Sequence, residues 1–401
     1  MAWKQNMIRH AKRLVIRCFK VVYKGMQKTV SVDEHTVIFI AFHGRGYTDN
    51  PKYIHQEMCK QSRFDDYTFV WALKKPNVEI EHAKTIRYNS LHYFYYMCKA
   101  KYWIVNCKLP KHIQKKPEQV YLQTWHGTPL KRLAHDIVEV ENQTFYRSGM
   151  NRKQMTDTYD DDVAKYNYMI APNEFSYEVF QTAFRINPKR LIKTGYPRND
   201  FLTNITPEEI ENIKQRFHIP AHKKILLYAP TWRDNSYNTR GYTFELKADF
   251  HRWKEVLGDE YVVLFKPHYL IINKFENDAS LEGFIYNVDA NADINDLYVI
   301  SDVLVTDYSS VFFDYANLNR PMYFYMFDLE EYADELRGFY FDIYEVMPGD
   351  IIQDEEQLLA DIKKGQYDFK RLEAFNQRFN NWQDGHASQS CLLYTSPSPR
   401  D

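Results

Sequence analysis

Two parallel α/β lobes are the fold class this sequence predicts, and three observations predict it. After residue 30, short apolar runs alternate with stretches of helical period, the order expected when parallel strands are joined by crossover helices. The 401 residues exceed one typical core, while 44% apolar and 26% charged residues suit a folded globular chain. The polar motifs fall at the ends of the apolar runs, where open α/β sheets bind their ligands.

The elements follow in order. Val37 to Phe42 reads as a strand, and Asp49-Asn50-Pro51 supplies an N-cap with Pro in the first turn, opening a helix to about Gln61. Tyr67 to Leu73 is a strand, Leu91 to Ala100 a helix behind Asn89-Ser90, and Tyr102 to Asn106 and Val120 to Thr124 are strands. The acidic run Asp160-Asp161-Asp162 reads as a solvated loop. Tyr168 to Ala171 and a helix from Asn173 to Phe184 close a first lobe. Thr206 to Phe217 is a helix with a Thr-Pro-Glu-Glu start. The second lobe has strands at Ile225 to Tyr228, Tyr261 to Phe265, Phe284 to Val288, Val303 to Thr306 and Met322 to Met326. The domains expected are 1–30, a basic segment; 31–195, a first Rossmann-like domain; 196–390, a second; and 391–401, which resembles a translated sequencing adapter rather than native chain.

Charge is unevenly placed. Residues 1–30 carry eight Lys or Arg and no acid, although the formal net charge is −1, so the remainder stands near −9. A nucleic-acid protein would carry its basic surface on the fold itself, and none is expected here. With Leu14, Val15, Ile16, Phe19, Val21 and Val22 interleaved, the segment reads either as an amphipathic helix on an anionic bilayer or as a solvated basic helix. No apolar run is long enough to span a membrane, and no signal-peptide core is present. Five Cys without a CxxC or a His/Cys cluster point to a reduced compartment and no metal site.

Four strand ends could carry chemistry. Val120 to Thr124 runs into Trp125-His126-Gly127-Thr128-Pro129, which sets an imidazole at a strand terminus with a glycine beside it; the alternative is a structural histidine. Tyr228-Ala229-Pro230-Thr231-Trp232-Arg233 delivers a guanidinium that could hold two phosphate oxygens or form a surface ion pair. Lys266-Pro267-His268 repeats the pairing of cation and imidazole, or is a turn with a solvated Lys. Val303-Leu304-Val305-Thr306-Asp307-Tyr308-Ser309-Ser310, followed by Asp314, leads a strand into a helix whose first turn offers hydroxyls and orphan N–H groups, suited to an anion or to N-capping. P-loop, nucleophile-elbow, HExxH and GxGxxG patterns are all missing from the sequence.

In this order, the motifs TWHGTPLK, YAPTWR, KPH and VTDYSS with Asp314, together with AFHGRGYTDNP at residues 41–51, resemble the CDP-glycerol glycerophosphotransferase family of bacterial teichoic acid enzymes. The resemblance covers roughly residues 34–390 and implies a GT-B-like fold, two doubly wound domains facing a central cleft. It implies transfer of glycerol phosphate from CDP-glycerol, or of ribitol phosphate from CDP-ribitol, to a hydroxyl of a lipid-linked glycan or polyol phosphate acceptor, with no cofactor. His126 would be the general base. His268, also catalytic, would hold the donor phosphates with Arg233, Ser309 and Ser310, supported by Gly127, Thr128, Lys266, Asp307 and Asp314. The enzyme would then sit peripherally on the cytoplasmic face of the membrane.

Overall fold

The structure, a computed structural model, describes residues 19–138, 150–231, 237–238, 241–242, 247–266, 278–289, 292–329 and 338–395. Fifteen strands occur among them: β1 Asp33–Ile40, β2 Thr68–Leu73, β3 Ala83–Arg87, β4 Ala100–Val105, β5 Val120–Gln123, β6 Tyr168–Ala171, β7 Leu191–Lys193, β8 Lys224–Ala229, β9 Tyr237–Asn238, β10 Gly241–Tyr242, β11 Tyr261–Phe265, β12 Ile285–Asn287, β13 Val303–Thr306, β14 Met322–Tyr325 and β15 Ile351–Ile352. β9 and β10 form a small antiparallel pair; the rest build two sheets.

The first sheet has the order β3-β2-β1-β4-β5-β6-β7 and the second β12-β11-β8-β13-β14-β15. Pairing is parallel from β3 to β6 and throughout the second sheet. Counted from its own first strand, the first sheet runs 3-2-1-4-5-6-7 and the second 3-2-1-4-5-6, the doubly wound order. Its direction reverses between the first and fourth strands, so one switch point lies between β1 and β4 and another between β8 and β13. Crevices open at the carboxyl ends of strands at such points.

The carboxyl halves of the central strands are apolar and buried, as a parallel sheet covered on both faces requires: Val37, Ile38, Phe39 and Ile40 of β1 are fully buried, as are Leu226 and Leu227 of β8. The chain divides into two compact units, residues 1–126, 157–170 and 388–401 in one and 127–156 and 171–387 in the other.

Local signals explain most helices. Ser90 accepts from Tyr93 N, Asn173 accepts from Ser176 N, and Thr206 with Glu209 forms a reciprocal capping box before Pro207–Arg216. At Asp49–Cys59, however, the cap is Thr48, and Asp49 itself takes a φ of +60°. Asp160-Asp161-Asp162 is not a loop. It closes the helix Arg152–Val163, whose period turns Asp162 inward to complete burial. Helix also covers residues 19–29, while residues 1–18 of the basic segment lie outside the described residues. A last helix, Ala387–Thr395, buries Cys391 and Leu392 within the stretch expected to be foreign.

Candidate functional site

β5 ends at Gln123, and the chain then turns through Trp125, a bulky residue at φ +53°. That conformation costs about 1–3 kcal/mol and persists only where surroundings fix it. Here both backbone polar groups are held. Gln123 Oε1 accepts from Trp125 N at 2.9 Å, and Asn50 Nδ2 donates to the Trp125 carbonyl at 3.1 Å. The strained turn projects His126, half-buried, beyond the sheet edge.

The imidazole is oriented on three sides. Trp125 stacks on it with centroids 4.5 Å apart, Phe42 meets it edge-on at 5.6 Å, and Nδ1 lies 2.7 Å from the Asn106 carbonyl. A carbonyl can only accept, so Nδ1 carries the hydrogen and Nε2 of the neutral ring carries the lone pair. Asn106 also fixes the opposite wall, since its Oδ1 accepts from Phe42 N at 2.8 Å.

Behind the turn lies a buried polar chain that the sequence reading missed. Gln123 Nε2 donates toward Tyr166 Oη at 3.3 Å, Tyr166 donates to Asp162 Oδ2 at 2.7 Å, and that oxygen also accepts from Leu109 N at 3.1 Å. Lys165 stands 3.0 Å from Asp162 Oδ1. Burial pushes the Asp162 carboxyl up, and the Lys165 charge opposes the shift. The signal was available as Asp-x-x-Lys spacing, which brings Lys165, in the turn just past the helix end, back beside Asp162 in its last turn.

In the second unit, Gly127 N donates to Tyr196 Oη at 3.2 Å, and a Cβ on Gly127 would lie 2.7 Å from Ser310 Oγ. The glycine is therefore there to let Ser310 approach. Thr128 Oγ1 accepts from Asn173 Nδ2 at 3.2 Å, which gives it a packing role. Asp307, 2% exposed, bridges the β8/β13 switch by accepting from Thr231 N at 2.9 Å and Thr231 Oγ1 at 2.6 Å. It caps nothing. Ser309 and Ser310 follow, half-buried, at the start of the five-residue helix Val311–Tyr315; Ser309 Oγ approaches Val311 N only at 3.4 Å, and Ser310 makes no side-chain cap bond.

Asp314 is buried against Arg198 Nη2 at 2.7 Å and Asn199 Nδ2 at 2.9 Å, and Arg198 lies under the Tyr196 ring. That ion pair ties the Ser309-Ser310 helix to the tyrosine that holds Gly127. Lys266 Nζ donates to the Asp289 carbonyl at 2.6 Å, and burial lowers its pKa to about 8. Arg233 and His268 lie outside the described residues, as does Trp232. No cluster that could hold a metal ion occurs among the described residues.

The model of the CDP-glycerol:poly(glycerophosphate) glycerophosphotransferase family matches residues 22–393. The chain belongs to that family. Its fold is GT-B-like, as in the wall teichoic acid polymerase TagF, whose structure it resembles with a TM-score of 0.86 at 35% identity, covering 98% of this chain and 97% of that one. This glycerophosphotransferase-family chain is 42% identical to the teichoic acid poly(glycerol phosphate) polymerase of Bacillus subtilis over 88% of its length, yet spans 46% of that relative. It is 37% identical to the teichoic acid glycerol-phosphate transferase of Staphylococcus aureus, covering 94% of this chain and 96% of that protein.

Proposed function

We propose that the protein transfers glycerol phosphate from CDP-glycerol to a hydroxyl of a teichoic acid type acceptor and releases CMP. The observation that carries the reading is the 2.7 Å approach of His126 Nδ1 to the Asn106 carbonyl: a carbonyl only accepts, so Nδ1 donates there and Nε2 serves as the basic nitrogen at the end of β5. The acceptor oxygen attacks the glycerol-bearing phosphorus, its proton passes to His126 Nε2, and the P–O bond to CMP breaks with its electron pair going to CMP. Ser309 and Ser310, with Arg233 and His268, hold the donor phosphates and meet the charge developing on the leaving group. Asp307, Asp314 and Gly127 keep the serines in place. Glycerol is favoured over ribitol because relatives named for glycerol phosphate reach 42% identity, against 33% for those named for ribitol phosphate.

No helix of the described residues is long and apolar enough to cross a membrane. Helix 19–29 nevertheless exposes Val21 and Val22 among Lys20, Lys24 and Lys28, while Tyr23 and Phe19 pack on Phe94. This face suits peripheral binding to an anionic cytoplasmic leaflet, where a lipid-linked acceptor is presented.

The test is CMP release from CDP-glycerol with a glycerol phosphate acceptor. His126→Ala is expected to slow turnover by about 100-fold or more while leaving the dissociation constant for CDP-glycerol within about twofold. Undiminished turnover in that variant would remove His126 from the chemistry. Turnover of CDP-ribitol or UDP-sugars in place of CDP-glycerol would overturn the donor assignment.

A further inference from the structure

The switch point of the first sheet carries a second feature beside His126. β1 leads into Phe42, His43 and Gly44, all at positive φ (+43°, +56° and +80°), and then Arg45. β2 ends at Leu73, followed by Lys74, whose backbone N donates to the Gly44 carbonyl at 2.6 Å. β4 leads into Asn106, Cys107 and Lys108, and Cys107 Sγ accepts from His43 N at 3.2 Å. Three neighbouring strands, β2-β1-β4, thus each set a cation at the same edge of one sheet.

The bends that do this are built in. A Cβ on Gly44 would lie 2.9 Å from the Ala72 carbonyl and 2.9 Å from Tyr88 Cβ, so the loop lies pressed against β2. Lys108 is aimed rather than trailing in water: its Nζ donates to Thr158 Oγ1 at 2.6 Å and sits 3.7 Å over the Tyr159 ring. His43, open to solvent on one side, responds to the cluster. Its pKa falls to about 4, first through desolvation and then through Arg45, Lys74, His126 and Lys108, so near pH 7 it adds no charge of its own.

A group of cations at a sheet's switch point is a place for an anion. Donor phosphates have their own switch in the second sheet, at Asp307, Ser309 and Ser310. We infer that Arg45, Lys74 and Lys108 form a subsite for a phosphodiester of the acceptor chain, close to the hydroxyl that His126 deprotonates. The inference rests on the transfer reading above and adds how the acceptor is recognised: a poly(glycerol phosphate) end, one charge per unit, is held by a phosphate already in place while its terminal hydroxyl reacts.

The experiment is direct titration of the full chain, without lipid, with a short oligo(glycerol phosphate) and with a neutral polyol of equal length. Wild type is expected to bind the phosphorylated oligomer at least 10-fold more tightly. Arg45→Ala and Lys74→Ala should each weaken it about 5- to 20-fold, with Lys74→Arg restoring most of the loss and CDP-glycerol affinity unchanged. Both positions are exposed. Equal affinity for the two oligomers in wild type would overturn the inference. So would a parallel loss of CDP-glycerol affinity, which would give the cations to the donor, or of binding to vesicles of anionic lipid, which would give them to the bilayer. Normal discrimination between oligomers by a wild type that fails to release CMP would overturn the transfer reading alone.

Discussion

At the scale of single residues, close approach decides more than chemistry does. Gly127 and Ser310 stand in different motifs, some 180 positions apart in the sequence, yet a Cβ at 127 would meet both Oγ and Cβ of Ser310, at 2.7 and 3.3 Å. Gly127→Ala is expected to destabilise the protein by about 1–3 kcal/mol, since an inserted methyl in a packed place forces its neighbours to move. In a Ser310→Gly background the same change should cost at least about 1 kcal/mol less. Chemical denaturation of the four proteins of that cycle measures the coupling; strict additivity would mean that the two residues do not press on each other. Gln123 offers a second test at this scale. Gln123→Leu removes the acceptor for Trp125 N in a fully buried place, and an orphaned backbone donor costs about 1–3 kcal/mol. Because that bond holds the turn before His126, kcat should fall several-fold while donor affinity stays unchanged. A variant with unchanged kcat would show that the turn is held without it.

At the scale of elements, the central strands of the second sheet were legible because their burial is uniform. Tyr261–Phe265 and Val303–Thr306 are buried from end to end, and their bounds agree with the sequence reading. β3, β7 and β15 escaped it for a physical reason. They are edge or near-edge strands of two to five residues, and in β3 only Ile86 of Ala83-Lys84-Thr85-Ile86-Arg87 is buried, so neither alternation nor a run appears. The strand ends bearing His126, Lys266 and the Ser309-Ser310 pair were legible as motifs. Their partners were not, because Asn106, Tyr196 and Arg198 reach them only through the fold. Asp162 was hidden for the opposite reason: three consecutive acids resemble a solvated loop until helical period turns one of them inward. That helix makes its own prediction. Asp162→Asn leaves Lys165 buried beside a neutral amide and should cost about 3–5 kcal/mol, whereas Asp162→Leu combined with Lys165→Met should come within about 1–2 kcal/mol of wild type. Thermal or urea unfolding of the two variants separates these outcomes, and a single variant as stable as wild type would show that the pair is not held as a pair.

At the scale of the whole molecule, acid sensitivity follows from histidines buried in neutral form. His55 on the helix Asp49–Cys59 is 1% exposed, and burial lowers its pKa from 6.5 to about 4, with His82 adding a like charge. The side chains in contact with it among the described residues bring no carboxylate to offset a proton: Tyr47 Oη lies 3.0 Å from Nδ1, Cys59 Sγ 3.5 Å from Nε2, and the rings of Phe39, Phe69 and Trp71 pack around it. Between pH 6.5 and 4 the unfolded chain binds a proton at this position that the folded chain refuses, so stability falls as pH falls through that window and is flat with respect to His55 above it. A shift of that size corresponds to about 3 kcal/mol at full extent. His43, lowered for related reasons but more open to water, contributes in the same direction and less. Urea unfolding at pH 7.5, 6.0 and 5.0 should show a falling midpoint in wild type. His55→Gln, which keeps a polar contact for Tyr47 but cannot titrate, should start lower at pH 7.5 and lose markedly less on acidification. Parallel slopes for the two proteins would show that His55 is not what makes the fold acid-sensitive.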